Sequence, residues 1–172
     1  MLARIYGSVL LLALVASGPV GAADITAMTA PLAMVAAANA PIVKITVGGQ
    51  TREISLADIE KLPLKQTTLA TNWGTKGTWQ GVLLADLAAA YGMGASGQLH
   101  LLALDDYAVD LNMSDIRSEQ AFLATRFEGK PIPLEEKGPV LLLWPSQSEA
   151  ALSGTASLAN WIWSIVEMTA KN

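Results

Sequence analysis

Short apolar runs separated by turn residues make up the chain from residue 42 onward. In most of these runs apolar and polar residues alternate, which is the period of a strand with one buried face. The run from Val140 to Trp144 is apolar throughout and predicts a central strand. Residues 72–81 are rich in glycine and tryptophan and predict an irregular segment. The pattern predicts strands over 42–47, 51–54, 64–71, 99–104, 107–111, 122–127, 140–144 and 161–168.

Helical patterns are fewer and shorter than the predicted strands. Ser55 followed by Asp58 is a capping pattern that predicts a short helix over 56–62. Leucine and alanine at helical spacing predict a second helix over 82–91, which ends before a glycine. Short strands, two or three short helices and no internal repeat predict a mixed α+β domain.

The first 22 residues have the layout of a secretory signal peptide. Arg4 precedes an apolar run over 9–16, and glycine, proline and small residues follow it. The uninterrupted apolar core is about twelve residues, whereas a membrane-spanning helix needs about twenty. We therefore expect a cleaved signal over 1–22, with cleavage after Ala22 or Ala23, and a protein that works in the periplasm without membrane insertion.

The rest of the chain divides into a tail and one domain. Residues 23–40, rich in alanine, threonine and methionine, predict a flexible linker. Residues 41–172 form one domain, long enough to bury a core without disulfide bonds. The sequence has no cysteine, so it has no thiolate for metal binding or covalent chemistry. Its net charge of -4 gives no basic surface for nucleic acid.

Self-contained catalysis has little support in this set of residues. His100, the only histidine, lies in the apolar run LHLLAL, where a structural role outweighs that of a general base. The acidic pairs Asp105-Asp106 and Glu135-Glu136 are typical of solvated turns and lack the clustering of a metal site. We therefore expect no catalytic residue and no metal.

The tryptophans indicate binding more than catalysis. All five lie in predicted loops or at strand ends of the domain, two of them beside asparagine. Rigid aromatic rings next to amide and hydroxyl groups suit a flat heterocycle with polar edges. We expect Trp163 to fill the core, on one strand face with Trp161. For Trp73 and Trp144, core and binding roles both remain open, and Arg126 is either a surface charge or a donor to an anionic or carbonyl edge.

Several stretches together resemble a known family. In order along the chain they are ITVGGQTREISLADIEKLP, WQGVLLADLAAAYG, ALDDYAVDLNMSDI, FLATRFEGKPIPLEEKGPVLLLWP and NWIWSIVEM. This order is similar to the pattern of the oxidoreductase molybdopterin-binding domain. The resemblance covers nearly the whole chain after residue 42 and implies the sulfite-oxidase-like fold of that family.

One departure from the family pattern bears on function. Catalytic members bind molybdenum through a cysteine thiolate that follows the strand predicted here over 64–71. This sequence has Thr71, Asn72 and Trp73 in that region. The resemblance therefore implies recognition of the pterin part of the cofactor without the metal, as in a pseudoenzyme.

Short, exported, cysteine-free forms of the domain resemble the PruR-type periplasmic pterin-binding regulators. That resemblance implies a protein that binds a reduced pterin. It also implies a partner, the periplasmic portion of a membrane protein whose GGDEF or EAL domains make or degrade cyclic di-GMP. Two alternatives stay open: a periplasmic oxidoreductase, or subunit of one, that depends on molybdenum cofactor, and an interaction module without a ligand.

The resemblance also implies a set of ligand-binding positions. Most of them lie in predicted loops and turns. Trp79 is included although it is also suited to supporting the start of the second helix. The positions are Asn72, Trp73, Trp79, Asp105, Asp106, Tyr107, Arg126, Trp144, Pro145, Asn160 and Trp161.

Overall fold

A computed structural model gives the fold, and it describes residues 22–30, 32 and 39–171. The predicted signal peptide lies outside the described residues, apart from its last position. Among the described residues, no helix is long and apolar enough to cross a membrane. The strands are β1 Ile25–Ala27, β2 Pro41–Val47, β3 Gln50–Ser55, β4 Lys65–Ala70, β5 Lys76–Leu83, β6 Gln98–Ala103, β7 Ala108–Asn112, β8 Phe122–Phe127, β9 Lys130–Pro131, β10 Leu141–Leu143 and β11 Ile165–Lys171.

The helices are short and lie between the strands. Two single turns of 3₁₀ helix, Leu134–Glu136 and Pro145–Gln147, accompany them. The α-helices are α1 Leu56–Ile59, α2 Leu84–Ala90, α3 Met113–Ser118 and α4 Ser148–Leu152.

The described strands form two sheets. The first is antiparallel in the order β1-β4-β5-β8-β10, with β9 added beside β8. The second has the order β3-β2-β11-β6-β7, with β11 parallel to β2 and antiparallel to β6. Apolar side chains from both sheets meet in one core, such as Val43 and Leu101 from the second and Leu69 and Phe122 from the first. This arrangement confirms the predicted α+β class.

Local sequence patterns account for the β2–β3 hairpin and for α1. Gly48 and Gly49 join the two strands with φ angles of 56° and 78°, which cost little for residues without a Cβ. In the next turn, the hydroxyl of Ser55 accepts from the backbone N–H of Asp58, and the Asp58 carboxylate accepts from the backbone N–H of Ser55. This reciprocal cap starts α1 as predicted, although the helix spans only Leu56–Ile59.

The prediction of an irregular segment over residues 72–81 is wrong for most of its length. Most of it belongs to β5, which pairs with β4 and β8. Gly81 lies where the backbones of β5 and β8 approach closely, and a Cβ there would clash with the carbonyl oxygen of Leu123. Gly81, which read as a loop residue, is thus required by close strand packing, and α2 begins two residues later than predicted.

Two further predictions differ in position. Strand β10 lies at the end of its sheet's order, not at its centre. Its three residues are nevertheless fully buried. The segment that precedes β11 runs beside it, where the backbone N–H of Leu142 donates to the carbonyl of Ile162. Strand β11 itself begins at Ile165, which leaves Trp161 and Trp163 in the loop before it.

Part of the predicted linker is a strand. Strand β1 pairs with β4, and the backbone N–H of Ala23 donates to the carbonyl of Pro145 at 3.0 Å. Backbone hydrogen bonds do not depend on side-chain size, so an alanine- and threonine-rich segment pairs at a sheet edge without a strong sequence pattern.

A buried ion pair joins the two sheets. Arg126 on β8 donates from Nε and Nη2 to the two carboxylate oxygens of Glu60, at 2.8 and 2.7 Å. Glu60 follows α1 and hence the hairpin of the second sheet. The Arg126 and Glu60 side chains are 1% and 10% exposed, and the hydroxyl of Thr125 also donates to the same carboxylate. Removal of one partner would leave the other charge buried without compensation.

We predict that Arg126→Met destabilises the protein strongly. The uncompensated Glu60 carboxylate is expected to cost about 3–5 kcal/mol in the free energy of unfolding. Urea unfolding followed by circular dichroism measures this change. The matched control is Lys61→Met, which removes an exposed ion pair with Asp58 and should have a much smaller effect. The double variant Glu60→Met/Arg126→Met should recover much of the loss; equal stability of Arg126→Met and Lys61→Met would contradict the assignment.

We also predict a pH-dependent contribution from Asp58. Hydrogen bonds from Lys61 and Ser55 hold the pKa of the Asp58 carboxyl well below its ordinary value of 3.8. A lowered folded-state pKa stabilises the fold above the unfolded pKa, and this stability is lost as pH falls. The destabilisation caused by Asp58→Ala should therefore be larger at about pH 6 than at about pH 3 in urea titrations. An equal penalty at both pH values would show that the ionised form is not what the cap requires.

Candidate ligand-binding cleft

Three loops meet in an open cleft of about 340 Å³, which we call the aromatic cleft. Asn72 comes from the turn between β4 and β5, and Asp105 and Tyr107 come from the turn between β6 and β7. The volume lies within the range of about 300–1,000 Å³ that is usual for small-molecule sites. The loop before β11 supplies the remaining wall, which consists of Leu158, Ala159, Trp161 and Trp163.

Two side-chain hydrogen bonds hold the loop before β11 in place. The hydroxyl of Tyr107 donates to the carbonyl of Ala159 at 2.8 Å. The indole Nε1 of Trp144, at the end of β10, donates to the carbonyl of Asn160 at 2.8 Å. The cleft wall is therefore tied to both sheets, which favours a preformed site.

A cluster of three tryptophans lies along one side of the cleft. Trp73 packs edge-on against Trp161 and Trp163, with ring centroids 6.3 and 5.8 Å apart. The ammonium of Lys137 lies 4.1 Å from the ring centroid of Trp163 and 5.6 Å from that of Trp73. Such placement over aromatic faces is a cation–π contact, which stabilises the cluster and puts a positive charge behind it.

The backbone next to this cluster is strained. Lys137 and Ser164 both have left-handed φ angles, 74° and 48°, and the Ser164 N–H donates to the Lys137 carbonyl at 3.0 Å. Asp106, at the tip of the β6–β7 turn, has a φ of 64°. Non-glycine residues in this region cost about 1–3 kcal/mol each and concentrate at ligand-binding sites. Gln120 and Glu128, which are outside the cleft wall, have similar angles of 51° and 48°, so backbone strain by itself does not mark the cleft.

The structure brings four of the predicted ligand-binding residues together. Asn72, Asp105, Tyr107 and Trp161 all line the aromatic cleft. Trp73 lies one ring away and contacts the cleft through its tryptophan neighbours. Residues separated by up to about ninety positions in sequence thus line a single cleft.

Other predicted residues lie elsewhere. Arg126 is committed to Glu60 and is fully buried, so its guanidinium is not available to a ligand in the cleft. Trp144 and Pro145 are buried outside the cleft wall, and Asn160 contributes its carbonyl to Trp144 while its side chain faces solvent. Of these three, Trp144 acts on the cleft indirectly, through the hydrogen bond that positions the loop containing Asn160.

The last two predicted residues flank the cleft. Asp106 is exposed at the turn but is not part of the cleft wall. Trp79 is buried on β5 and, together with Trp73, lines a second cavity. His100 lies on β6 outside the cleft wall, with Nδ1 2.7 Å from Oδ1 of Asp110.

Sequence reasoning missed several residues of the site. Trp163 was expected to fill the core as part of a strand; it does pack against the core, but it lies in the loop before β11 and also lines the cleft. Leu158 and Ala159 carried no chemical pattern that would mark them. Lys137 lies in a charged segment whose sequence does not reveal that its side chain turns onto two tryptophans. In the structure, Lys137 has a left-handed backbone, and its carbonyl accepts from the N–H of Ser164 in the loop before β11.

A likeness to a solved structure supports the fold. The chain is similar to the sulfane dehydrogenase SoxCD from Paracoccus pantotrophus, with a TM-score of 0.56 and 15% sequence identity. The superposition covers 75% of this chain and 37% of the SoxCD chain, so it spans well under half of that protein. At this identity the likeness concerns the fold alone.

Sequence comparison identifies the family. No curated protein matches this chain. Residues 35–168 match the oxidoreductase molybdopterin binding domain, which includes every cleft residue and the elements that position them. The match confirms the family resemblance and, with the structural likeness, the predicted sulfite-oxidase-like fold. The chain therefore belongs to the oxidoreductase molybdopterin-binding domain family.

Proposed function

We propose that the protein is a periplasmic, non-catalytic regulator that binds a reduced pterin in the aromatic cleft. The observation that carries the proposal is the combination of tryptophan rings with an amide and a carboxylate in one preformed cleft. Membership of a molybdopterin-binding family supports a pterin-type ligand.

The chemistry of a pterin matches the residues of the cleft. A pterin is a flat bicyclic ring with adjacent N–H donors and a carbonyl acceptor along one edge. The Asp105 carboxylate is suited to accept from such N–H groups, and the Asn72 amide is suited to donate to the carbonyl. The rings of Trp161, Trp163 and Tyr107 supply apolar contact area around the bicycle.

The metal-binding part of the family cofactor fits less well. The resemblance places the molybdenum-binding cysteine near Thr71, and this chain has no cysteine. Thr71 is buried, and its hydroxyl donates to the Thr75 carbonyl at 3.1 Å and accepts from the Thr75 N–H at 3.2 Å. A hydroxyl engaged in this turn is a poor substitute for a soft thiolate ligand. The residues therefore fit the pterin and not a molybdenum–thiolate bond.

The proposed partner is the periplasmic portion of a membrane protein that controls cyclic di-GMP through GGDEF or EAL domains. An N-terminal signal peptide would deliver the protein to that compartment. The cleft opens beside exposed apolar side chains, among them Leu104 and Tyr107, which favours contact with another protein. A pterin would signal only if the liganded form binds the partner better than the free form.

We predict that the purified protein binds tetrahydropterin with quenching of tryptophan fluorescence. Asp105→Asn, which removes a charged acceptor from the cleft, should weaken binding about tenfold or more. Asp106→Asn is the matched control because it makes the same change one residue away and outside the cleft wall. Titration calorimetry under reducing conditions measures both dissociation constants.

Two results would count against this proposal. Absence of tetrahydropterin binding at high micromolar concentration would reject a pterin-binding function. Equal weakening by Asp105→Asn and Asp106→Asn would place any bound pterin outside the aromatic cleft. Circular dichroism of both variants checks that the fold is unchanged.

The alternative is a periplasmic oxidoreductase, or a subunit of one, that depends on molybdenum cofactor. Membership of the family is the observation that favours it. Elemental analysis of protein produced in a molybdate-fed host distinguishes the two functions. Molybdenum in a 1:1 ratio with protein would support the enzyme, whereas bound pterin without molybdenum would support the regulator.

A further inference from the structure

Strand β3 is an open edge of the second sheet. Its only strand neighbour among the described residues is β2, in the order β3-β2-β11-β6-β7. Residues 50–54 of β3 make no backbone hydrogen bond to any other described segment. The edge of a sheet presents a row of free N–H and C=O groups, and another chain can pair with them as an added strand.

The hairpin turn determines which backbone groups of β3 face this edge. Gly48 and Gly49 have φ angles of 56° and 78°, as in a two-residue type I′ turn, so Val47 and Gln50 beside the turn are a hydrogen-bonded pair. Hydrogen-bonded and non-hydrogen-bonded pairs alternate along an antiparallel ladder. Residues 51 and 53 therefore belong to non-hydrogen-bonded pairs and direct their N–H and C=O groups away from β2.

A groove of about 410 Å³ borders the open edge. The side chain of Thr51 lies on the outer face of the sheet, where its hydroxyl is 2.9 Å from that of Thr46. Thr51 therefore borders the groove with its backbone, and the groove reaches the free N–H and C=O groups of β3. The lining residues come from the hairpin and the end of α2, and they are Ile45, Val47, Gln50, Thr51, Arg52, Ala90 and Tyr91.

Arg52 supplies the only charge among the residues that line the groove. Its register partner on β2 is Ile45, which is buried, so Arg52 lies on the inner face of the hairpin. The guanidinium carbon lies 6.0 Å from the ring centroid of Tyr91. Arg52 forms no salt bridge with any described residue. A carboxylate in the groove would pair with this guanidinium.

The outer face of β3 has the opposite charge. Glu53 is exposed there, one residue beyond Arg52 and on the other side of the strand. Charged side chains on an edge strand oppose indiscriminate pairing, and opposite charges across strands stabilise a specific pair. The edge therefore suits a strand with an acidic side chain on its groove face and a basic side chain on its outer face. Two copies of this chain joined through β3 would instead place both Arg52 side chains on one face.

We propose that β3 accepts an extended segment of another protein as an added strand, with a carboxylate side chain of that segment in the groove on Arg52. The backbone groups of Thr51 and Glu53 bind the main chain of the segment, and Arg52 and Tyr91 select its side chain. The groove shares no lining residue with the aromatic cleft, and this interaction requires no pterin. It is therefore a second binding surface that does not depend on the proposed function.

The first test uses the capped heptapeptide TVKEKVT, whose glutamate and valines lie on one strand face and whose lysines lie on the other. Its symmetric sequence presents the same pattern in either strand direction. In NMR titrations of the isotope-labelled protein, the amide signals of Thr51 and Glu53 should shift and exchange more slowly with solvent. Those of β7, the other edge of the sheet, should not change. Absence of binding at millimolar peptide, or shifts centred on β7, would overturn the proposal.

A second test examines the charge pairing. The peptide TVKQKVT, with glutamine in place of glutamate, should bind about tenfold more weakly because it lacks a charged partner for Arg52. Arg52→Gln should remove this preference. Lys44→Gln is the matched control, since it removes the same charge from the outer face of the same hairpin, and it should retain the preference. Equal binding of both peptides to the unmodified protein, or a preference that survives Arg52→Gln, would overturn the proposal.

A third test removes one backbone donor from the edge. Thr51→Pro deletes an N–H that faces away from β2, a position in edge strands where proline is tolerated. This variant should lose binding of both peptides while its circular dichroism stays unchanged; retained binding would contradict strand addition. Analytical ultracentrifugation distinguishes the other occupant. Dimers that form in the unmodified protein and are absent in Thr51→Pro would assign the edge to a second copy of this chain and overturn the proposal. If Thr51→Pro fails to fold, the two peptide comparisons still decide it.

Discussion

The buried ion pair between Arg126 and Glu60 sets how the two sheets meet. Arg126 belongs to the first sheet, and Glu60 follows the hairpin of the second. Both charges are withdrawn from water, so each depends on the other for compensation. The pair anchors β8, whose last residue, Phe127, packs its ring against Trp79 at a centroid distance of 4.6 Å. Arg126, which was predicted to contact the ligand, thus has a structural role in the fold.

The tryptophans divide into structural and binding roles according to their surroundings. Trp144 holds the loop before β11 by a hydrogen bond to the Asn160 carbonyl, and Trp79 is buried in the core against Phe127. Trp161 and Trp163 line the aromatic cleft, and Trp73 packs edge-on against both. All five carry the same apolar ring with one donor, so only their neighbours distinguish these roles.

Under the proposed function, the chain retains the fold of its family without the metal ligand, because the fold and the metal bond depend on different residues. The fold depends on strand pairing and a shared core, which this chain keeps over the matched residues 35–168. The metal bond depends on a thiolate, and the sequence has none. Under the proposed function, the same loops that would orient a redox cofactor instead hold a pterin for recognition by a partner.

The sequence by itself determined the α+β class, the β2–β3 hairpin with its two glycines, the cap of α1 and the family. These features follow from local periodicity and short-range hydrogen bonds, which depend on residues close together in the sequence. Only the tertiary structure decided that residues 76–83 form a strand and that Arg126 is paired with Glu60. It also decided that Trp163 lines the cleft, with the ammonium of Lys137 over its ring. The physical reason is that these features depend on contacts between distant segments. A glycine is required by close packing, a charge is paired with a remote residue, and an aromatic ring is positioned by a loop. None of these features leaves a pattern in consecutive residues.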